Sequence, residues 1–258
     1  GLPADIVEAA SEEAKAKNKE GKWVFTLSNS SVMPFLQYAE NRELRKKIWE
    51  AYQTRANQDN AHDNKQNALQ LSNLRLEKAK LLGYANHASY VLEESMAKNP
   101  ENVTNLLQQL WQPALNKATA EAADIKTMMI KDGISGEVMP YDWRYYSEKI
   151  RKERFDLDEQ EIKPYFSLEN VRNGIFDVTK NLYGITFKQL QNMPVYHEDV
   201  TVWEVKDKDS SVLGILYMDM HPRASKRGGA WMTSYADQYI ADGKRVVPVI
   251  SIVCNFTK

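Results

Sequence analysis

The spacing of apolar residues changes once along this chain, near residue 184, and that change limits the folds it can adopt. Before it, apolar side chains recur every three or four residues, as at Leu44, Ile48 and Ala51, which predicts amphipathic helices. After Gly184 the apolar residues alternate, which predicts β-strands. The sequence therefore predicts a mainly α chain with a small C-terminal mixed β-sheet, an α+β fold.

This pattern divides the chain into a helical region over 1–184 and a small sheet over 185–258. No repeat, low-complexity tract or shift in composition marks a flexible linker, so we expect the two regions to share a core. In the helical region, Asn99 followed by Pro100 is typical of a helix start, and the helix is predicted to run to about Lys131. Ser167 is a predicted N-cap, and Gly184 a predicted helix stop.

Five strands are predicted in the second region, and a short segment near the N-terminus, "KWVFTLS", is also β-like. The five are "ITFKQL", "VTVWEVKD", "VLGILYMDM", "GGAWMTSYA" and "VVPVISIVCNF". The third and the last are apolar on both faces, as internal strands are. Pro248 lacks an N–H, which favours a bulge or an unpaired ladder side near the start of the last strand. Since nothing follows that strand to cover it, we expect an exposed sheet face or pairing with another copy.

Composition excludes several classes of protein. A formal net charge of −1 argues against nucleic-acid binding, which requires a basic excess or a basic stripe. The single cysteine, Cys254, cannot form an internal disulfide, and its apolar surroundings favour a buried, unreactive thiol. No uninterrupted apolar run reaches the roughly 18 residues of a transmembrane helix. The first residue is not Met and no signal peptide is visible, so the compartment stays open, with the cytoplasm favoured and export an alternative.

The chain carries no self-contained catalytic constellation. The motifs GxGxxG, GxxxxGK[ST], GxSxG and CxxC are all missing from it. His197–Glu198 begins like the zinc motif HExxH, but the fifth position is Thr201 and the stretch is strand-like, so we reject a metal site there. His221 lies in a predicted loop and could contact a ligand.

The loop between two apolar strands, "HPRASKRGGAWMTSY", is the stretch most suggestive of function. Gly228, Gly229 and Ala230 expose backbone with almost no side chain, so an extended peptide could pair with it as an added strand. The alternative is a tight strand start that needs glycine for a positive φ. On residue types alone the second interpretation is favoured.

Several longer stretches closely resemble the peptidyl-dipeptidases, or dipeptidyl carboxypeptidases, of the thimet oligopeptidase family of zinc metallopeptidases. The resemblance runs from about Trp23 to Lys258. The stretches that carry it are "GYANHASYVLEESMAKNPENV", "YDWRYYSEKIRKERFDLDEQEIKPYFSLENVRNGIFDVTKNLYGITF", "MPVYHEDVTVWEV", "KRGGAWM" and "CNFTK".

The resemblance implies that this chain is a segment of a large helical metallopeptidase, ending just before the helix that bears HExxH. It implies zinc in the complete enzyme, short peptides as substrates, and release of dipeptides from the C-terminus. No residue of this chain takes the family's metal or catalytic roles, so the chain alone is expected to be inactive and to require the remainder of its own chain. The segment implied to pair with substrate is Gly228, Gly229, Ala230 and Trp231, which reverses the preference stated above.

Two questions stay open at this stage. Recognition of a substrate's C-terminal carboxylate needs a cation or backbone donors, and Arg223, Lys226 and Arg227 are all nearby candidates. The second question is whether the chain is instead a standalone helical peptide-binding or scaffold protein without catalysis. The two-faced apolar strand at the terminus argues against that alternative.

Overall fold

The structure, a computed structural model, describes residues 1–156 and 159–256 of the chain. Within them the α-helices are α1 (Ala4–Ala16), α2 (Asn29–Tyr38), α3 (Arg42–Gln53), α4 (Lys65–Leu81), α5 (His87–Leu92), α6 (Pro100–Lys131), α7 (Pro140–Phe155), α8 (Glu159–Ile162) and α9 (Leu168–Tyr183). A 3₁₀ turn covers Lys163–Phe166. The strands are β1 (Thr186–Leu190), β2 (Thr201–Lys206), β3 (Val212–Asp219), β4 (Trp231–Ala236), β5 (Tyr239–Ala241), β6 (Lys244–Val246) and β7 (Val249–Val253). The predicted α+β class is confirmed.

The predicted helix ends are confirmed by their cap geometry. The Asn99 side chain accepts a hydrogen bond from the Asn102 N–H at 2.9 Å, and Pro100 follows as the first helical residue. The Ser167 hydroxyl accepts from the Asn170 N–H in the same way. Gly184 ends α9 in the left-handed conformation, with φ of 77°. These caps use neighbours within four residues, so they follow from local sequence.

Two local predictions are wrong. The β-like stretch "KWVFTLS" forms no strand; its Val24 N–H bonds to the Ala10 carbonyl of α1 instead of to a strand partner. The last predicted strand, which was to begin at Val246, is two elements. Val246 ends β6, and β7 begins only at Val249, because Pro248 between them cannot donate to a ladder.

Packing separates two compact units, the first made of residues 1–3 and 34–155 and the second of residues 4–33 and 156–258. The predicted division after residue 184 and the shared core stay predictions. In the first unit, α6 packs on α7 around a core of Ile125, Met128, Met129 and Tyr146.

A buried ion network joins α3 to α7 within the first unit. The side chains of Arg45 and Asp142 are both fully buried, and their charged groups lie 3.1 Å apart. Arg42 adds two further bonds to the Asp142 carboxylate, at 2.9 and 2.7 Å. Arg45 also donates to the carbonyls of Ala39, Glu40 and Tyr141. Each buried charge thus has several partners, which the low dielectric of an interior demands.

The second unit is built on a five-stranded sheet with the order β1-β2-β3-β7-β4. Neighbours are antiparallel except β3 and β7, which run parallel. β5 and β6 form a separate hairpin. Helix α9 covers part of the sheet, where Phe176 stacks on Phe187 at 4.0 Å between ring centroids and meets Trp203 edge-on.

Both strands predicted to be internal are internal: β3 lies between β2 and β7, and β7 lies between β3 and β4. β7 is paired along both of its edges, since β4 lies on its outer side, and the expected pairing with another copy stays a prediction. One face of β7 stays partly open, since Ile252 is exposed. The predicted irregularity near Pro248 is found on the partner strand, as a register shift between Ser234 and Ala236.

In the part of the chain that the structure covers, no helix combines the length and the apolar character needed to cross a membrane.

Candidate functional site

Strand β4 forms one edge of the sheet. It pairs on one side with β7, in a register that sets Trp231 opposite Val253, and among the described residues no strand lies on its other side. An edge strand turns alternate N–H and C=O groups away from its neighbour, where another extended chain can bond to them. The predicted substrate-binding segment leads directly into this edge, because Trp231 is the first residue of β4.

The segment ahead of Trp231 is open backbone. Gly228, Gly229 and Ala230 are all exposed, and a Cβ added to either glycine would meet no atom within 4 Å. Gly229 has a φ of +101°, whereas Gly228 has no positive φ. The need for a positive φ therefore explains the glycine at position 229, but it does not explain Gly228.

The N–H groups of this segment are also unused. No hydrogen bond joins the backbone N–H of Gly228, Gly229 or Ala230 to another residue described by the structure. Three consecutive exposed donors beside an edge strand can receive the carbonyl or carboxylate oxygens of an extended peptide.

A buried carboxylate, Asp219, anchors the loop that carries this segment. Asp219 is the last residue of β3 and its side chain is 2% exposed. The Arg223 guanidinium donates to both carboxylate oxygens at 2.9 Å, and Lys226 Nζ donates to Oδ1 at the same distance. The Tyr196 hydroxyl donates to Oδ2 at 3.1 Å. The loop between β3 and Gly228 is thus tied back to the sheet at two points.

This network separates the three basic candidates for binding a substrate carboxylate. The side chain of Lys226 is buried, and its Nζ also donates to the carbonyls of Asp219 and His221, so its three donors are occupied. Arg223 is committed to Asp219. Arg227 is exposed, and its guanidinium makes no hydrogen bond or ion pair to any residue in the described ranges.

Burial and nearby charges shift the pKa values of Asp219, Tyr196 and Cys254. Burial by itself would raise the pKa of Asp219, but Arg223, Lys226 and the Tyr196 hydroxyl outweigh it and lower the pKa to about 2. The pKa of Tyr196 is raised, first by burial and then by Tyr235 and by the Asp219 charge, so the hydroxyl stays protonated as a donor. The pKa of the Cys254 thiol is raised by burial, which makes a thiolate unfavourable there.

These shifts predict a pH dependence of stability. The pKa of Asp219 is lower in the folded chain than its ordinary value of about 3.9, so its contribution is present above about pH 4 and is lost as the pH falls toward 2. The difference in the free energy of unfolding between the wild type and Asp219→Asn should narrow by on the order of 2 kcal/mol from pH 5 to pH 2. Urea unfolding across this range measures it, and a constant difference would contradict the assignment.

The profile of Peptidase family M3 matches residues 35–258. The chain belongs to this family. The dipeptidyl carboxypeptidase of Escherichia coli K12 is 36% identical over 259 residues, which cover 100% of this chain and 38% of that protein. Oligopeptidase A of the same organism is 35% identical over 263 residues, again 38% of its length. Saccharolysin of Saccharomyces cerevisiae is 29% identical over 273 residues, also covering 38% of it.

Membership of family M3 confirms the resemblance found in the sequence. This M3 chain spans a little over a third of the length of the relatives it matches. The similarity to dipeptidyl carboxypeptidase and to oligopeptidase A is nearly equal, so the comparison supports the family more strongly than either branch of it.

The zinc expected from the family has no donor set among the residues that the structure describes. Nowhere in 1–156 or 159–256 do three His, Cys, Asp or Glu side chains come together as metal ligands would. His197 stands in a turn ahead of β2, where its Nδ1 accepts from the Asp199 N–H at 3.2 Å. His221 Nδ1 lies 3.1 Å from the Phe256 carbonyl. The residues in these ranges therefore do not fit a zinc site by themselves.

Sequence reasoning missed Asp219 and Tyr196 as parts of the site, and also Asn255, whose Nδ2 donates to the Arg227 and Gly229 carbonyls. A signal existed for Asp219, because a carboxylate at the end of an apolar strand is followed by Arg223 and Lys226 four and seven residues later. Tyr196 lies 23 residues before Asp219, and no spacing rule joins them.

Proposed function

We propose that this chain is part of a zinc metallopeptidase that hydrolyses short peptides and releases dipeptides from their C-termini. The observation that carries the proposal is the edge strand β4, entered through the open backbone of Gly228–Ala230, in a chain of family M3. The substrate class follows from the relatives named dipeptidyl carboxypeptidase and oligopeptidase A.

Pairing with an edge strand suits an enzyme that accepts many peptide sequences. Main-chain hydrogen bonds are indifferent to the side chains of the bound peptide, and the absence of a Cβ at Gly228 and Gly229 allows close approach. Arg227 is the remaining nearby cation for a substrate carboxylate, since Arg223 and Lys226 are held by Asp219.

The zinc ligands and the general base are proposed to lie in the remainder of the protein, on the HExxH helix. The share of the relatives that this chain spans, 38%, leaves room for that part. Large apolar side chains of α6 and α9 are exposed, among them Leu110, Trp111, Ile175 and Leu182, and the same remainder is proposed to cover them. The chain by itself should then neither bind zinc tightly nor hydrolyse peptides.

The second candidate is an oligopeptidase that cleaves inside the peptide and ignores the C-terminus. The 35% identity to oligopeptidase A over the whole chain favours it as much as the first comparison favours dipeptide release. A standalone peptide-binding or scaffold protein is the third candidate, favoured by the absence of a metal-ligand cluster among the described residues.

One experiment separates these candidates. The full-length protein containing this chain is incubated with an eight-residue peptide bearing either a free or an amidated C-terminus, and products are identified by mass spectrometry. We expect dipeptides from the free-acid peptide, at least tenfold slower release from the amide, and loss of activity on chelation that zinc restores. Equal cleavage of both peptides at internal bonds would indicate the oligopeptidase, and no zinc-dependent cleavage would leave only peptide binding.

A further inference from the structure

The backbone that follows β7 is bonded to the last residue of β3 and to the residue after it. The Cys254 N–H donates to the Asp219 carbonyl and the Phe256 N–H to the Met220 carbonyl, both at 2.8 Å. These bonds lie where the parallel pairing of β3 with β7 ends, at Asp219 opposite Val253. Asn255 stands between the two bonded residues, so its backbone is fixed from both sides.

The side chain of Asn255 bonds to the predicted substrate-binding segment. Its Nδ2 donates to the Gly229 carbonyl at 2.7 Å and to the Arg227 carbonyl at 3.1 Å. An amide nitrogen has two hydrogens, and here each has a carbonyl acceptor. Since both partners are acceptors only, the nitrogen of the amide, and not its oxygen, must face them.

The two Asn255 side-chain hydrogen bonds lie just beyond the point where the pairing of β4 with β7 ends. The pairing of β4 with β7 ends at Trp231 opposite Val253, and the same antiparallel register continued by two residues would set Gly229 opposite Asn255. Gly229, with its φ of +101°, departs from strand geometry at that point. The Asn255 side chain thus replaces the backbone ladder and holds the segment while the N–H groups of Gly228–Ala230 stay unbonded.

We propose that Asn255 is a positioning residue that holds Gly228–Ala230 in the conformation that pairs with a peptide substrate. The inference rests on the proposed function for the identity of the ligand, an extended peptide backbone. Asn255 acts on substrate through the carbonyls of Arg227 and Gly229. Without the two Asn255 hydrogen bonds, the exposed segment would be ordered only by the Asp219 network on one side and by Trp231 on the other.

The test uses Asn255→Ala and Asn255→Asp in the full-length protein. The alanine removes both donors, and the aspartate, of the same shape, also sets a negative charge against two carbonyl oxygens. The matched control is Asn192→Asp, which makes the same charge change at an exposed asparagine that has no side-chain hydrogen bond to a described residue. We expect KM for a short free-acid peptide to rise about tenfold for alanine and further for aspartate, with kcat changed less and the control unaffected.

A second measurement needs no enzymatic activity. Trypsin cuts a mobile segment faster than an ordered one, so the rate of cutting at Arg227–Gly228, followed by mass spectrometry, reports how well the segment is ordered. Both Asn255 variants should be cut several times faster there, with no change after Lys98, an exposed site in the other unit.

The outcomes are distinct. Faster cutting with a raised KM supports the proposal, and faster cutting without any wild-type peptidase activity supports the positioning role while refuting the proposed function. Cutting rates and KM equal to those of Asn192→Asp overturn the inference. Faster cutting at Lys98 as well, with a lower melting temperature, would show a general structural role and overturn it too.

Discussion

Replacing Gly229 by Val in the full-length protein is expected to lower kcat/KM for short peptides by roughly 30-fold or more. Gly229 adopts a φ of +101°, which a β-branched residue reaches only at a cost of about 2 kcal/mol. Each 1.4 kcal/mol of lost transition-state stabilisation lowers kcat/KM by a factor of about ten. The backbone would relax toward negative φ and move the carbonyl that Asn255 holds. The new side chain would also occupy open space at the proposed peptide-binding edge.

Gly21→Val is the matched control for this change. Gly21 also has a positive φ, +73°, and open space around its Cβ position, but it lies near the end of α1, away from the segment in sequence. It should lose a similar amount of stability without loss of kcat/KM. Peptide kinetics of Gly229→Val that match the wild type would refute the assignment of this edge.

The second large effect concerns stability. Asp142→Ala is expected to lower the free energy of unfolding by about 3–5 kcal/mol, because it leaves the fully buried Arg45 guanidinium without its anion. Burial would raise the pKa of Asp142, but Arg42, the Met139 N–H and Arg45 outweigh it and hold the pKa below its ordinary value. The carboxylate is therefore charged at neutral pH.

Urea unfolding measures this loss, with Asp124→Ala as the control. Asp124 also pairs with an arginine, Arg154, at 2.6 Å, but both side chains are about half exposed. Exposed pairs contribute only about 0–1 kcal/mol. Equal losses in the two variants would mean that the Asp142 network is no stronger than a surface ion pair.

Features that depend on near neighbours were predictable. The starts of α6 and α9 and the end of α9 follow from Asn99, Ser167 and Gly184, whose bonds reach no further than four residues. The alternation after Gly184 likewise predicts strands and identifies β3 as internal. The β5–β6 hairpin was missed although Asp242–Gly243 carries a strong turn signal, with φ of 49° and 71° at the two residues.

The proposed substrate-binding segment came from its glycines together with the family resemblance, but the residues that support it could not be predicted. Asn255 lies 26 residues from Gly229 and Asp142 lies 97 from Arg45, and side-chain pairs at such separations leave no periodic trace in a single sequence. Sequence composition also left Arg223, Lys226 and Arg227 equivalent, whereas Asp219 engages the first two.

By itself, the sequence determined the α+β class, the ends of α6 and α9 and the family, because helix caps, apolar periods and motif strings are local. Only the tertiary structure decided which strand forms the edge. From the sequence β7 was expected to be uncovered, yet it pairs on both sides, because β4 returns antiparallel to it and becomes one of the two edges of the sheet. Backbone hydrogen bonding must be satisfied over the whole sheet at once, and the order that satisfies it is set by contacts between residues distant in sequence.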